Sequence, residues 1–391
     1  MPELSKTLTN ITGGGSDGWE VFLRARQMIA NGTPVTELTI GEHDIRTDPS
    51  ILAAMDASAR SGHTGYAMVP GVTELRAEVA RRVQARTGVE TNVENVLITP
   101  GGQSALFASH LAACPQGAKA LYIDPYYATY PGTLRAIGAV PSAVPAHAEN
   151  GFQPRGADID AQADGAASLL INSPNNPTGV IYTEETLQEI ADVCIRRDLW
   201  LISDEVYDTQ VWQGTHHSPR ALKGMSERTL VVGSMSKSHA MTGSRVGWII
   251  GPAEAIAHLI NLATHTTYGV AGFVQDAALF ALRQGAEFER QIAAPFERRR
   301  AITLDILKQQ NHVRLIPADG AMYVMLDIRE TGLSGAAFAN RLLDEHHIAV
   351  MPGESFGASA RGHIRVAMTI EDEAYAGALK TLCAFAAKLC D

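Results

Sequence analysis

The sequence predicts an α/β fold: a mainly parallel central sheet with helices on both faces, followed by a smaller α+β segment. Three observations carry the prediction. Between about residues 95 and 251, short apolar runs alternate with helical stretches. The runs are continuously apolar, as strands buried on both faces require. After Gly251 that alternation gives way to two helical stretches and then to strands and helices in a mixed order.

Taken in order, the expected strands are VLIT (96–99), ALYID (120–124), SLLIN (168–172), LWLISD (199–204), TLVVGS (229–234) and VGWII (246–250). Among the helices between them, 184–197 has Thr183 as its N-cap and acidic residues in its first turn, where the helix dipole favours them. Beyond Gly251, helices are expected over 273–283 and 287–309, the second kinked or restarted at Pro295. Strands at 322–327 and 364–368 and helices at 335–345 and 371–389 complete the tail. A chain of 391 residues exceeds one typical core, so two domains are expected. The large one spans 46–280, and the small one combines 1–45 with 281–391.

Composition narrows the function. Hydrophobic residues make up 46% and charged residues 19%, the balance of a soluble enzyme. A formal charge of -10 repels phosphate backbones and anionic lipid, which argues against nucleic-acid and membrane partners. The first residues, MPELSKTLTN, lack the basic and apolar regions of a secretion signal, and no apolar run reaches the roughly 20 residues of a membrane span. Cys114, Cys194, Cys383 and Cys390 are scattered and form no metal or disulfide pattern, which fits a reduced, cytoplasmic setting.

One motif misleads. Gly13, Gly15 and Gly18 satisfy GxGxxG, and a helical run 19–30 follows. A dinucleotide site needs a buried strand just before the turn, and the polar segment 6–12 cannot supply one. A flexible or substrate-covering loop is the better reading.

Four strand ends carry unusual polar groups, on the edge where open α/β sheets bind ligands. Thr99-Pro100-Gly101-Gly102-Gln103-Ser104 opens a helix and bares backbone N–H groups to an anion such as phosphate, although many such starts are plain turns. Ser173-Pro174-Asn175-Asn176-Pro177-Thr178-Gly179 is a rigid loop whose Asn amides face a ligand, or close an ordinary Asx turn. Ser203-Asp204-Glu205-Val206-Tyr207 ends an apolar strand with a carboxylate that needs a cation, such as a protonated pyridine nitrogen. Alternatively, Asp204 caps the next segment and Glu205 forms a surface ion pair. In Ser234-Met235-Ser236-Lys237-Ser238-His239, a lysine follows a buried strand, with Arg245 just before the next. Burial and a nearby cation both depress a lysine pKa and make the amine nucleophilic towards an aldehyde. His239 reads as packing.

SPNNPTG, SDEVY and SKSHAMTGSRVGW, in that order, resemble the class I/II, fold-type I aminotransferases that use pyridoxal 5'-phosphate (PLP), and the likeness spans nearly the whole chain. Within the family, the segments 172–251 and 317 onward look most like arginine–pyruvate aminotransferases. The resemblance implies that Lys237 carries PLP as a Schiff base and then moves the proton between substrate Cα and the cofactor. It implies that Asp204 pairs with the pyridine N–H, that Tyr207 and Asn176 bond the ring hydroxyl, and that Tyr127 stacks on the ring. The phosphate falls to backbone N–H groups of Gly102 and Gln103, to Ser234 and to Arg245. Tyr66 reaches the partner's phosphate in a homodimer with shared sites. The resemblance further implies that Arg365 holds the substrate α-carboxylate and that Gly41 lies against the substrate; in some relatives the bond matching Asn176-Pro177 is cis.

Departures from the family bear on specificity. Here His43 replaces a proline and Ile45 an aromatic in the loop after Gly41, on the substrate side. Gln103 stands where some aspartate-specific relatives have lysine, which argues against dicarboxylates. An arginine substrate needs a carboxylate, for which Asp17, Glu42 and Asp44 are the candidates. The function expected is ping-pong transfer of an amino group between an L-amino acid and a 2-oxo acid. The alternatives are a PLP-dependent β-lyase and a ligand-sensing domain without catalysis; the acidic balance and the short stretch 1–10 oppose the latter.

Overall fold

The computed structural model describes residues 2–14 and 18–390. Seven strands form the central sheet: β2 (Val96–Thr99), β3 (Lys119–Asp124), β4 (Val140–Pro145), β5 (Ala166–Asn172), β6 (Trp200–Asp204), β7 (Thr229–Ser234) and β8 (Gly247–Ile250). Their spatial order is β2-β8-β7-β6-β5-β3-β4. The strands β4, β3, β5, β6 and β7 pair in parallel, while β8 runs antiparallel to both β7 and β2. The link 235–246 explains the reversal of β8. It holds only a one-turn helix and a 3-10 turn, not the covering helix of a parallel crossover. All of β2 and β7 is buried, as their unbroken apolar runs require. The chain winds from β3 to β4 on one side and to β5, β6 and β7 on the other, so a crevice opens at the carboxyl ends near β3.

A second sheet has the order β1-β11-β12-β10-β9. It is built from β1 (Thr36–Leu38), β9 (Arg314–Leu315), β10 (Tyr323–Asp327), β11 (Ile348–Pro352) and β12 (His363–Ala367). The early strand β1 adds in parallel to β11, and the other pairs are antiparallel. Phe296, Phe338, Tyr375 and Leu379, all fully buried, fill the core against this sheet. Burial of each such side chain contributes roughly 1.5–3 kcal/mol before chain entropy is counted.

The α/β class and the mainly parallel sheet agree with the sequence. Thr183 caps the helix Glu184–Arg196, its hydroxyl accepting from Thr186 N at 3.1 Å. The helix Ala286–Leu307 runs through Pro295 without restarting. Pro295 is buried in that helix, so packing holds a turn that lacks one backbone donor. Elements without a counterpart among the sequence expectations include β1, β4, β9, β11 and the helices Pro49–Arg60, Thr73–Thr87 and Ala253–Thr264. The strand β4 carries Pro141 and Pro145, which only an edge strand tolerates. The helix Pro49–Arg60 did announce itself, with Asp48 accepting from Ser50 N at 2.8 Å and Pro49 in its first turn.

Candidate active site

Eleven of the twelve expected residues line one cavity of about 330 Å³ at the carboxyl ends of β5, β6 and β7. They are Gly41, Gly102, Gln103, Tyr127, Asn176, Asp204, Tyr207, Ser234, Lys237, Arg245 and Arg365. Most follow the carboxyl end of a strand of the central sheet, which brings together strand ends far apart in the chain; Gly41, after β1, and Arg365, within β12, come from the second sheet.

One wall suits an anion. Gly101, at φ +83°, caps the helix Gly102–Ala113, and a Cβ there would meet the Arg245 guanidinium at 2.4 Å. A Cβ at Gly247 would likewise strike Gly101 C at 2.8 Å and Gly102 N at 2.9 Å. Small residues on both sides therefore let the helix N-terminus and the guanidinium approach the same space. Ser234 caps the next short helix, its hydroxyl accepting from Ser236 N at 3.1 Å and lying 3.2 Å from Val246 O.

Lys237 lies at the floor. Its Nζ donates to the Gly41 carbonyl, and burial holds its pKa below that of a free lysine, with Arg365 and Arg245 pushing the same way. Tyr323 and Glu42 oppose that shift. Asp204 is buried, and among the described residues no cation lies within ion-pair distance of it. Its carboxylate accepts from Tyr130 Oη at 2.6 Å and Val206 N at 3.3 Å, yet burial still pushes its pKa up to about 6. Its capping of Val206 is real but leaves the charge unanswered.

This has a consequence for the ligand-free protein. A carboxyl raised from 3.8 to about 6 binds its proton more tightly folded than unfolded, so stability falls as pH rises between those values. The loss is about 3 kcal/mol, and it is complete above pH 6. Urea unfolding of ligand-free protein from pH 4 to 7 is expected to show the decline, and Asp204→Asn to remove it. A wild-type slope retained by Asp204→Asn refutes the assignment.

Arg365 is only 1% exposed. It donates to Asn176 Oδ1 at 2.8 Å and to the Thr39 carbonyl, and its guanidinium carbon lies 4.4 Å from the ring centres of both Tyr323 and Phe356. Its Nε has no hydrogen-bond partner, and no carboxylate among the described residues pairs with it. A guanidinium stays charged even when burial lowers its pKa, so this fork awaits an anion. Tyr207 Oη stands 3.0 Å from Tyr323 Oη, and the Tyr127 ring meets that of Tyr130 edge-on at 5.8 Å.

Several expectations are corrected. Asn175 does not face a ligand: its Oδ1 accepts from Thr178 N at 3.1 Å and Thr178 Oγ1 at 2.7 Å, closing the loop internally. Glu205 makes no surface pair. It is buried, accepting from Ser203 and Ser218 hydroxyls at 2.8 and 2.7 Å and lying 3.2 Å from His216 Nε2. His43 does not line the cavity; its ring packs against Phe296 at 5.1 Å, and burial pushes its pKa down to about 3. Asp44 is held by Arg299 at 3.0 and 2.6 Å and is unavailable to a substrate, while Glu42 does line the cavity. Tyr66 stands apart, 92% exposed and edge-on to Tyr268 at 5.1 Å. Asp17 and Gly15 lie outside the described residues. Segment 6–9 is a short helix, not a strand. His239 is buried against Phe288, a packing residue as expected.

Tyr130, Ser236 and Tyr323 line the cavity without having been singled out. Tyr130 follows Tyr127 by three residues, the spacing of one helical turn, which could have drawn notice. Tyr323 opens an apolar strand and carried no such signal. The Asn176-Pro177 bond is cis. Among the described residues, no cluster of His, Cys, Asp or Glu could hold a metal ion, and no helix is long and apolar enough to cross a membrane.

Comparison with known proteins gives this arrangement its family. The profile described as aminotransferase class I and II matches residues 33–382. The arginine–pyruvate transaminase AruH of Pseudomonas aeruginosa is 39% identical over 380 residues, covering 97% of this chain and 97% of that protein. A probable aspartate/prephenate aminotransferase of Thermus aquaticus is 33% identical, covering 90% of this chain and 92% of that one. The solved aspartate aminotransferase of Thermus thermophilus with maleate superposes with a TM-score of 0.91 at 30% identity, over 98% of this chain and 100% of that one. A profile match over most of the length, joined to a cavity that holds the family's segments in one place, leaves a single conclusion: the chain belongs to the class I and II aminotransferases and is an aminotransferase.

Proposed function

We propose that the chain transfers an amino group between L-arginine and pyruvate by a ping-pong mechanism on PLP, in a cytoplasmic homodimer whose sites are shared. One observation carries the reading. Three ionisable groups whose desolvation disfavours charge converge on one cavity, none with an oppositely charged partner among the described residues: the Asp204 carboxyl, the Lys237 amine and the Arg365 guanidinium. Burying unpaired charge costs several kcal/mol, and a ligand that answers all three recovers it.

PLP meets each need. Its phosphate suits the glycine cradle beside Arg245, its pyridinium N–H suits Asp204, and its aldehyde suits a lysine of lowered pKa. Bound there, the cofactor supplies an electron-withdrawing ring and the carbon that carries the amino group between half-reactions. The protein does the rest. Gly102 and Gln103 N–H groups, Ser234 and Arg245 hold the phosphate, and Tyr127 covers the ring face. Asp204 keeps the ring nitrogen protonated, while Asn176 and Tyr207 hold the ring oxygen. Arg365 fixes the α-carboxylate in a fork, with Gly41 against the substrate. That orientation places the substrate Cα–H towards Lys237, whose amine, its pKa lowered by desolvation, takes the proton in its neutral form. The amine remains within reach of the Gly41 carbonyl, which holds it between transfers.

Residues 46–280 act as the cofactor-binding unit, and 1–45 with 281–391 as the unit that contributes Gly41 and Arg365. Tyr66, exposed on one protomer, serves its partner. The arginine–pyruvate pair draws support from the transaminase AruH, and from Glu42, a carboxylate that lines the cavity, whereas Asp44 is taken by Arg299. The decisive experiment loads purified protein with PLP and mixes it with arginine, alanine, aspartate or tyrosine in turn. Arginine is expected to bleach the visible cofactor band fastest, and pyruvate alone to restore it. Bleaching by aspartate in preference to arginine overturns the donor. Release of ammonia without restoration of the band by pyruvate overturns the reaction.

A further inference from the structure

Tyr323 occupies the point where three groups of the site meet. It is 3% exposed and lines the cavity. Its hydroxyl makes one hydrogen bond among the described residues, to Tyr207 Oη at 3.0 Å. On another side that hydroxyl lies against the Gly41 backbone so closely that a Cβ at Gly41 would fall 1.7 Å from it. The Gly41 carbonyl is the partner of Lys237 Nζ. The Tyr323 ring covers the Arg365 guanidinium at 4.4 Å, opposite Phe356 at the same distance.

These contacts follow from register. In the antiparallel pair β10–β12, Tyr323 faces Ala367 and Met325 faces Arg365, so Tyr323 and Arg365 are diagonal neighbours on one face of the sheet. A phenol has a single proton. If Tyr207 donates its proton to the cofactor, the bond at 3.0 Å requires Tyr323 to donate to Tyr207. A chain of that direction makes Tyr207 the stronger donor. The ring has a separate task. A buried guanidinium with no carboxylate keeps its orientation through two aromatic faces and two acceptor oxygens.

We infer that Tyr323 is a positioning residue with two separable roles: its hydroxyl directs the Tyr207 proton to the cofactor ring oxygen, and its ring holds Arg365 flat for the substrate carboxylate. This rests on the cofactor reading above. It also explains why position 41 is glycine, since any side chain there would displace the hydroxyl that Tyr207 needs.

Two variants separate the roles in PLP-loaded full-length protein. Tyr323→Phe keeps the ring and removes the hydroxyl; Tyr323→Leu removes both. The first readout is the pH midpoint of the visible cofactor band, which reports how well the anionic ring oxygen is stabilised. The second is the dissociation constant of pyruvate from the PLP form, with which it cannot exchange an amino group. Tyr323→Phe is expected to raise the midpoint by about half a pH unit while leaving pyruvate binding within about twofold. Tyr323→Leu is expected to raise the midpoint similarly and to weaken pyruvate binding about tenfold. A purely structural role would lower thermal stability without splitting the two readouts. An unchanged midpoint in Tyr323→Phe, or wild-type pyruvate binding in Tyr323→Leu, overturns the inference while the cofactor reading stands. A wild-type protein that shows no visible band with PLP overturns the cofactor reading and this inference with it.

Discussion

Lys237→Ala is expected to abolish the visible cofactor band that borohydride also removes, and to lower kcat by at least about 10³-fold. The size follows from the loss of two functions at once, the covalent hold on the cofactor and the proton transfer at substrate Cα. Folding is not expected to suffer. The amine is desolvated, and among the described residues its one hydrogen bond is to the Gly41 carbonyl, so its removal relieves a desolvation cost. Absorbance spectra, a steady-state assay and a thermal melt distinguish the outcomes. A variant that melts like wild type but keeps the band and its turnover refutes the role of Lys237. The pH dependence follows in sign. Because burial lowers the amine pKa, the neutral form persists to lower pH than for a free lysine, and activity as a base is lost as pH falls through that lowered value.

Arg365→Lys is expected to act on the substrate while sparing the cofactor. A lysine keeps one positive charge but has neither the planar fork nor the flat faces that Tyr323 and Phe356 cover at 4.4 Å. Loss of a buried charge-assisted pair costs about 2–5 kcal/mol, so kcat/KM is expected to fall between about 30-fold and several thousandfold. Donor and acceptor share the α-carboxylate, and both half-reactions should fall together. The visible band should remain, because Arg365 lies on the substrate side of Asn176 and takes no part in the phosphate cradle. Single-turnover kinetics with arginine and then with pyruvate test this. A loss confined to one half-reaction would show that Arg365 reads something other than the group common to both substrates.

The contrast between these two residues shows how far a sequence can be read. Lys237 was suspicious by itself, a lysine among small hydroxyl residues after the buried run TLVVGS. Arg365 was an ordinary strand arginine until the family resemblance marked it. Its burial between two aromatic rings comes from a register between β10 and β12, which no local pattern encodes. The same limit hid Tyr323 and decided two points that the sequence left open. Glu205 follows an apolar strand and had a surface ion pair as one alternative, yet Ser203, Ser218 and His216 surround it in the interior. His43 stood in a substrate-side loop by resemblance, yet its ring turns away to Phe296.

By itself, then, the sequence determined the α/β class, the parallel strands and the short segments at their carboxyl ends. Strand burial and loop chemistry are local properties, legible in runs such as VLIT and SPNNPTG. Only the tertiary structure decided which polar groups lost their water. Whether Asp204 titrates near 6, Arg365 lacks a carboxylate or Asp44 is already spent on Arg299 depends on neighbours up to 255 residues away. Desolvation and charge pairing are sums over all surrounding atoms, and chain separation says nothing about those sums.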